Sequence, residues 1–133
     1  MNPLFAQAIA VAAGGATGAL LRFGANLACV RGGIGGLPAA TLIVNVIGCL
    51  FAGLLLVWIE QRADPAFWRA LLITGVLGAL TTFSALGLEL WQLLRAERWL
   101  LAGATLAAHV GLGVAAVALG WRLGKALWPG RLP

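Results

Sequence analysis

The sequence predicts an all-α membrane protein with four transmembrane helices, and three observations lead to that class. Of the 133 residues, 62% are hydrophobic and only 10% are charged, whereas soluble domains carry about 25% charged residues. The charges leave four uncharged windows of 21, 28, 19 and 23 residues, namely 1–21, 32–59, 70–88 and 99–121. A membrane-spanning helix needs about 20 apolar residues. All six tryptophans lie within three residues of a charge, which is typical of the aromatic belt at the lipid–water interface.

The same composition excludes several other classes. Four spans leave no residues for a second domain, so a soluble enzyme with a membrane anchor is excluded. The apolar composition also excludes a disordered chain and a disulfide scaffold. Nine Lys and Arg outnumber four Asp and Glu, but they lie at the predicted helix ends, where such side chains reach lipid phosphates or water. They therefore do not predict nucleic-acid binding. No basic segment precedes the first apolar window, and we expect no cleaved signal peptide.

The first two helices are predicted at residues 4–27 and 37–59, separated by a Gly-rich connection closed by Pro38. Arg22 ends the first uncharged window and is expected to extend toward water. Glycines are twice as frequent as usual. Several are spaced four residues from another small residue, a pattern that lets helices approach closely in lipid.

Helix 2 carries a polar stripe on one face, since Thr41, Asn45 and Cys49 are four residues apart. Asn45 lies near the middle of its window, where a polar side chain is expensive and is either paired or functional. The amide offers two donors and an acceptor. It is therefore either an interhelical hydrogen-bonding group or a ligand in a polar track.

The third helix, predicted at residues 67–94, contains the unusual segment TGVLGALTTFSALGLEL. Small and hydroxyl-bearing residues crowd into ten of its positions: Gly75, Gly78, Thr81, Thr82 and Ser84. This cluster predicts a helix broken at mid-membrane, with a kinked but continuous helix as the alternative. Non-helical backbone at that depth needs a protein or water-filled environment. Freed carbonyls there can hold a cation, and freed N–H groups or hydroxyls an anion.

Helix 4 is predicted at residues 98–121 and carries Thr105 and His109. A lone intramembrane histidine is usually a hydrogen-bonded packing residue, with proton relay or metal binding as the alternative. Glu89 is expected at the interface. With no acidic or lysine side chain near the middle of a span, the available groups are neutral donors, backbone and ring edges. The electropositive edge of Phe83, near Asn45 and the hydroxyls, favours a small anion.

The distribution of cations predicts that the chain inserts in both orientations. Four spans place two sets of cations on opposite sides of the membrane: Arg22, Arg31, Arg95 and Arg98 against Arg62, Arg69, Arg122, Lys125 and Arg131. Orientation follows the bias in such residues, and four against five is almost no bias. Two copies could then pair antiparallel. The alternative is that helix 1 alone fixes one orientation.

Three segments together resemble the CrcB/Fluc family of fluoride channels: GGATGALLRF in helix 1, TLIVNVIGCLFAG in helix 2 and GVLGALTTFSALGLE in helix 3. The resemblance covers all four spans in order. It implies a small four-helix protein that forms an antiparallel dual-topology homodimer, with two fluoride pores and one structural sodium ion between the subunits.

The resemblance also implies roles for single residues. Asn45 matches the pore asparagine, with Thr41 one turn earlier on its face, and Phe83 matches the first of two phenylalanines whose edges face the ion. Gly78 and Thr81 match the positions whose main-chain carbonyls hold sodium. Thr82 and Ser84 match hydroxyl residues near the track, and Arg22 matches the arginine that ends helix 1.

The sequence departs from the family pattern at one position in helix 3 and at several in helix 4. Leu86 stands where the second phenylalanine would be, and His109 stands where tyrosine is frequent. Gly113 and Val117 replace possible track serines. Either His109 and water compensate, or the chain works with a paralogous partner, or it is an impaired channel.

The resulting expectation is a non-enzymatic, passive fluoride-exporting channel in a bacterial inner membrane. The alternatives are a small multidrug-type proton antiporter, which would need a carboxylate that helix 1 lacks, and a non-conducting partner subunit.

Overall fold

The computed structural model describes residues 2–33 and 38–130, and these residues form four helices long and apolar enough to cross a membrane. The four-span prediction is thus confirmed. Helix α1 is Pro3–Arg31 and α2 is Pro38–Glu60. The third span begins with α3 (Pro65–Trp68), continues as a π-helix, π1 (Arg69–Leu77), then α4 (Gly78–Leu80) and α5 (Phe83–Arg95). Helix α6 is Trp99–Leu127.

Several predicted helix ends were wrong, and local chemistry explains each difference. Helix α1 continues four residues past 27 because only Gly32 and Gly33, the latter with φ 76°, stop it. The third span starts at Pro65, two residues early, since Asp64 accepts a hydrogen bond from the Phe67 N–H and Pro65 suits the first helical position. The predicted start at residue 37 lies outside the described residues.

Helix α6 extends six residues beyond its predicted end at 121. Its last turns contain Arg122 and Lys125, which are compatible with a helix that reaches the interface. It ends at Leu127, because Pro129 disfavours helical backbone in Trp128, the residue before it. The Trp128 carbonyl then accepts a 3.0 Å hydrogen bond from Gln61, which ties the end of α6 to the α2–α3 connection.

The helices pack as two parallel pairs, α1 with the third span and α2 with α6. Glycines form both contacts, because a Cβ atom at Gly14 would collide with backbone of π1 and one at Gly120 with backbone of α2. A Cβ atom at Gly53 would likewise collide with the carbonyl oxygen of Val117 in α6. The small-residue spacing seen in the sequence thus lies at helix–helix contacts within one chain. Large apolar side chains remain exposed along every span, so much of this surface faces lipid or another protein.

Candidate ion pathway

The backbone between α4 and α5 leaves the helical conformation at two residues. Thr81 has φ −79° and ψ 155°, and Thr82 has φ −149° and ψ 116°. Helical dihedrals resume at Phe83. Glycine and hydroxyl residues explain this locally, since glycine is a poor helix former and threonine side chains bond nearby backbone in place of the helical ladder.

Asn45 binds this extended segment with both ends of its amide. Its Oδ1 accepts a 2.9 Å hydrogen bond from the Thr82 N–H, and its Nδ2 donates a 3.3 Å hydrogen bond to the Thr82 carbonyl. Asn45 therefore pairs the backbone groups that the helix would otherwise satisfy. One amide hydrogen of Nδ2 is left for another acceptor. The first interpretation of Asn45, an interhelical hydrogen-bonding group, is therefore observed. A role as an anion ligand would use the remaining hydrogen of Nδ2.

The hydroxyls of this segment also replace helical hydrogen bonds. Thr82 Oγ1 accepts a 3.2 Å hydrogen bond from the Ala85 N–H and lies 3.0 Å from Ser84 Oγ, so Thr82 caps the start of α5. The Thr81 hydroxyl donates back to the Leu77 carbonyl at 2.8 Å. The Ser84 side chain lies on the exposed side of α5, next to the Thr82 hydroxyl.

The carbonyls at the end of α4 lose their helical partners as a result, those of Gly78 and Thr81 among them. In a continuous helix the Gly78 carbonyl would accept from the Thr82 N–H, and the Thr81 carbonyl from the Ala85 N–H. The first of these N–H groups donates to Asn45 and the second to the Thr82 hydroxyl. Gly78 and Thr81 are the two residues that the resemblance assigned to sodium. No group of three or more His, Cys, Asp or Glu that could hold a metal occurs among residues 2–33 and 38–130.

Phe83 and Leu86 differ in burial, although they lie three residues apart on α5. Phe83 is 83% exposed, whereas Leu86 is 5% exposed and belongs to the core of the chain. Phe83 thus immediately follows the Asn45–Thr82 contact but presents its ring outside the subunit.

Glu89 was missed as a site residue. It is half-buried, and its Oε1 accepts a hydrogen bond from the Thr41 hydroxyl of α2. Its other oxygen, Oε2, is buried without a hydrogen-bond partner in the described part of the chain. The sequence does contain an indication of this role. Glu89 lies seven residues after Thr82, a spacing that puts two side chains on the same side of a helix.

His109 is also tied to a neighbouring helical turn. Its Nδ1 lies 2.9 Å from the carbonyl oxygen of Thr105, and its Nε2 is buried with no partner among the described residues. Arg22 is half-buried. Helix α1 continues for nine residues beyond it to Arg31.

Four apolar helices long enough to cross a membrane, with Asn45, Thr82 and Ser84 joined by hydrogen bonds where the third span leaves the helical conformation, define a multi-pass membrane protein. A family model described as "CrcB-like protein, Camphor Resistance (CrcB)" matches residues 9–121, and the chain belongs to this family. A "Fluoride-specific ion channel FluC" from Xylella fastidiosa is 43% identical over 112 residues, which is 84% of each chain. A relative of the same name from Hyphomonas neptunium is 46% identical over 112 residues, 83% of this chain and 88% of that protein. Another from a Roseiflexus species is 39% identical over 122 residues, 90% and 97% of the two chains.

Proposed function

We propose that this protein is a fluoride-selective channel that lets fluoride leave the cell passively. The observation that carries the proposal is that its relatives, about 40% identical over most of both chains, are named fluoride-specific ion channels. The polar groups of the spans agree with that chemistry. They are an amide hydrogen of Asn45, hydroxyls at Thr82 and Ser84, and the ring edge of Phe83. Neutral donors of this kind can replace part of the hydration shell of a small anion.

We place the pathway between two subunits. Phe83 and Ser84 are exposed beside the Asn45–Thr82 contact, and a partner surface would enclose these groups in protein. The nearly equal numbers of cations on the two sides support two orientations and an antiparallel dual-topology homodimer. A heterodimer with a paralogue is the second form, because Leu86 lacks the ring edge of the family pattern.

A sodium ion in this proposal has a structural role at the dimer interface. Its ligands would be the main-chain carbonyls of Gly78 and Thr81, which have lost the N–H groups that a continuous helix supplies. Carbonyl oxygens suit a hard monovalent cation. In this proposal, Thr81 and Thr82 form a break in the third span at mid-membrane. At that depth, carbonyls without helical partners must be enclosed by protein or line a water-filled cavity.

The proposed location is a bacterial inner membrane, where all four helices span the bilayer. There, a negative-inside potential drives fluoride outward through a passive channel and lowers its concentration in the cytoplasm. Thr41 and His109 would line the pathway, and Arg22 would have a structural role near one end. A proton-coupled multidrug transporter is not favoured, because α1 has no carboxylate and the relatives are named as fluoride channels.

The test is fluoride efflux from liposomes that contain the purified protein, followed with a fluoride electrode. We expect efflux above that of protein-free liposomes, and strong reduction by Asn45→Ala or Phe83→Ala. Phe5→Ala is the matched control, because Phe5 is also an exposed ring but lies in the first turn of α1. A folded protein without efflux, both alone and with a paralogous partner, would disprove the proposal.

A further inference from the structure

Gly48 of α2 leaves a space that the side chain of a single residue fills. Gly48 is buried. In the described part of the chain, a Cβ atom added there would collide with Cγ2 of Thr81 and lie 3.8 Å from its Cβ, and it would meet no other residue outside its own helix. Gly53 and Gly120, at the α2–α6 contact, would meet backbone instead. Gly48 therefore makes room for a methyl group of the non-helical segment, not for a neighbouring helix.

This methyl contact is one of three restraints on Thr81. The Thr81 hydroxyl donates a 2.8 Å hydrogen bond to the Leu77 carbonyl, and the Thr81 N–H donates to the same oxygen at 2.9 Å. A β-branched side chain has few staggered positions at χ1. Because the hydroxyl is bound to Leu77 and the methyl group lies against Gly48, both branches of the side chain have a partner. Thr81 is thus fixed relative to α2.

The peptide group that joins Thr81 to Thr82 is also held from α2. Its N–H, from Thr82, donates a 2.9 Å hydrogen bond to Asn45 Oδ1. The peptide bond is trans, and in a trans peptide the carbonyl points opposite to the N–H. The Thr81 carbonyl is therefore directed away from Asn45. Asn45 and Gly48, three residues apart on one face of α2, hold this peptide group at its two ends.

We propose that Gly48 is a positioning residue for the cation site. It receives the Thr81 methyl group, and the Thr81 carbonyl thereby keeps the direction in which it binds sodium. The inference rests on the sodium role proposed above for that carbonyl. Gly48 is not itself a ligand, because it acts only through Thr81. Groups that orient metal ligands commonly change the affinity for the metal by about 10- to 100-fold when they are altered.

The substitution Gly48→Ala perturbs this arrangement directly. The new methyl group and the Thr81 methyl group cannot occupy one space, and overpacking of this kind shifts neighbouring backbone. Thr81 must move away from α2, while the Thr82 N–H stays bonded to Asn45. The peptide group between them therefore tilts, and the Thr81 carbonyl changes direction. We expect the affinity for sodium to fall about tenfold or more.

NMR can observe this peptide group alone, because residues 81–82 are the single Thr–Thr step in the sequence. Protein labelled with threonine that carries ¹³C at the carbonyl and ¹⁵N at the amide gives one carbonyl–amide correlation. Sodium replaces N-methylglucamine at constant ionic strength and pH. In wild type the signal should shift and saturate. In Gly48→Ala it should start at a different position, with a midpoint about tenfold higher or more. Gly103→Ala, where the added methyl group meets no atom within 4 Å, is the matched control and should titrate as wild type.

A second substitution distinguishes positioning from general helix packing. Thr81→Ser removes the methyl group and keeps the hydroxyl that bonds Leu77. Carbonyl-labelled serine with amide-labelled threonine again gives one correlation, because Ser84 is followed by Ala85. Thr81→Ser should titrate close to wild type, and the double variant Gly48→Ala/Thr81→Ser should regain the wild-type midpoint. Rescue is expected because the two methyl groups compete for one space.

The outcomes separate the positioning role from the channel. An unchanged midpoint in folded Gly48→Ala, or a double variant that titrates no better than Gly48→Ala, would overturn the proposal. If Gly48→Ala does not fold, a folded double variant with the wild-type midpoint supports the role, and any other result for it overturns the role. A wild-type signal that does not respond to sodium also overturns it.

Fluoride efflux from liposomes is the independent readout for the proposed function. Absent efflux in wild type together with the expected sodium titrations disproves the channel and leaves the role of Gly48 standing. Normal efflux together with equal midpoints in wild type and Gly48→Ala overturns the role of Gly48 and leaves the channel standing.

Discussion

Replacing Asn45 by alanine removes both hydrogen bonds that connect α2 to the non-helical segment of the third span. The bonds join Asn45 Oδ1 to the Thr82 N–H at 2.9 Å and Asn45 Nδ2 to the Thr82 carbonyl at 3.3 Å. Because Thr82 has extended dihedrals, the helix cannot take these backbone groups back without rebuilding the turn. Both groups would lose their partners in a half-buried environment.

The expected cost follows from the two unsatisfied groups. Each costs about 1–3 kcal/mol when its partner is deleted, and the longer bond to the carbonyl belongs at the low end of that range. Side-chain hydrogen bonds between membrane helices average only about 0.6 kcal/mol, because alternative partners are found in the unfolded state. Here the partner is backbone at a non-helical segment, so we expect a loss of about 2–4 kcal/mol in the free energy of unfolding.

Equilibrium unfolding in mixed detergent micelles measures this loss. Thr17→Ala is the control, since the exposed Thr17 hydroxyl bonds only to the Ala13 carbonyl of its own helix, and its removal should cost about 0.5 kcal/mol or less. Amide hydrogen exchange adds a local measurement. The Thr82 amide should lose protection in Asn45→Ala and keep it in Asn45→Asp, which retains an acceptor. An Asn45→Ala protein as stable as Thr17→Ala, with the Thr82 amide still protected, would refute the reasoning.

Two further predictions concern packing inside the subunit. Leu86→Phe restores the ring of the family pattern. It should destabilise the protein by about 1–3 kcal/mol, because Leu86 is buried in the core. Unchanged thermal stability together with faster fluoride efflux would contradict this expectation. Gly120→Ala should lower the unfolding free energy by several kcal/mol or prevent folding, since its Cβ would collide with backbone at Leu50 and Leu54. Gly103→Ala should be neutral, because no atom lies within 4 Å of the added methyl group, and equal effects of the two substitutions would argue against the close α2–α6 contact.

The four spans and the family could be recognised from the sequence, because hydropathy is a local property and adds up over the length of a helix. The ends of the helices were predicted less well than the spans themselves. The Asp64–Pro65 start of the third span and the stop before Pro129 were present in the sequence but were outweighed by the positions of nearby charges, which placed the ends two to six residues from where they lie.

The candidate site could be predicted only as a set of residues. The hydroxyl and glycine cluster was identified, as was Asn45, but their connections were not. Asn45 binds backbone 37 residues away in the chain, and Thr41 binds Glu89 across 48 residues. Glu89 was expected at the interface, and its hydrogen bond to Thr41 was not predicted. Its hydrogen-bond partner lies on another helix, which sequence spacing does not show.

The sequence by itself determined that this is a four-helix membrane protein of the CrcB family, and where its few intramembrane polar residues lie along each span. Only the tertiary structure decided that Phe83 is exposed while Leu86 is buried, that Asn45 satisfies the extended Thr82, and that Glu89 binds Thr41 of α2. The physical reason is that burial in lipid depends on the composition of one segment. Hydrogen-bond partners in a dry environment depend on how segments far apart in the chain are brought together.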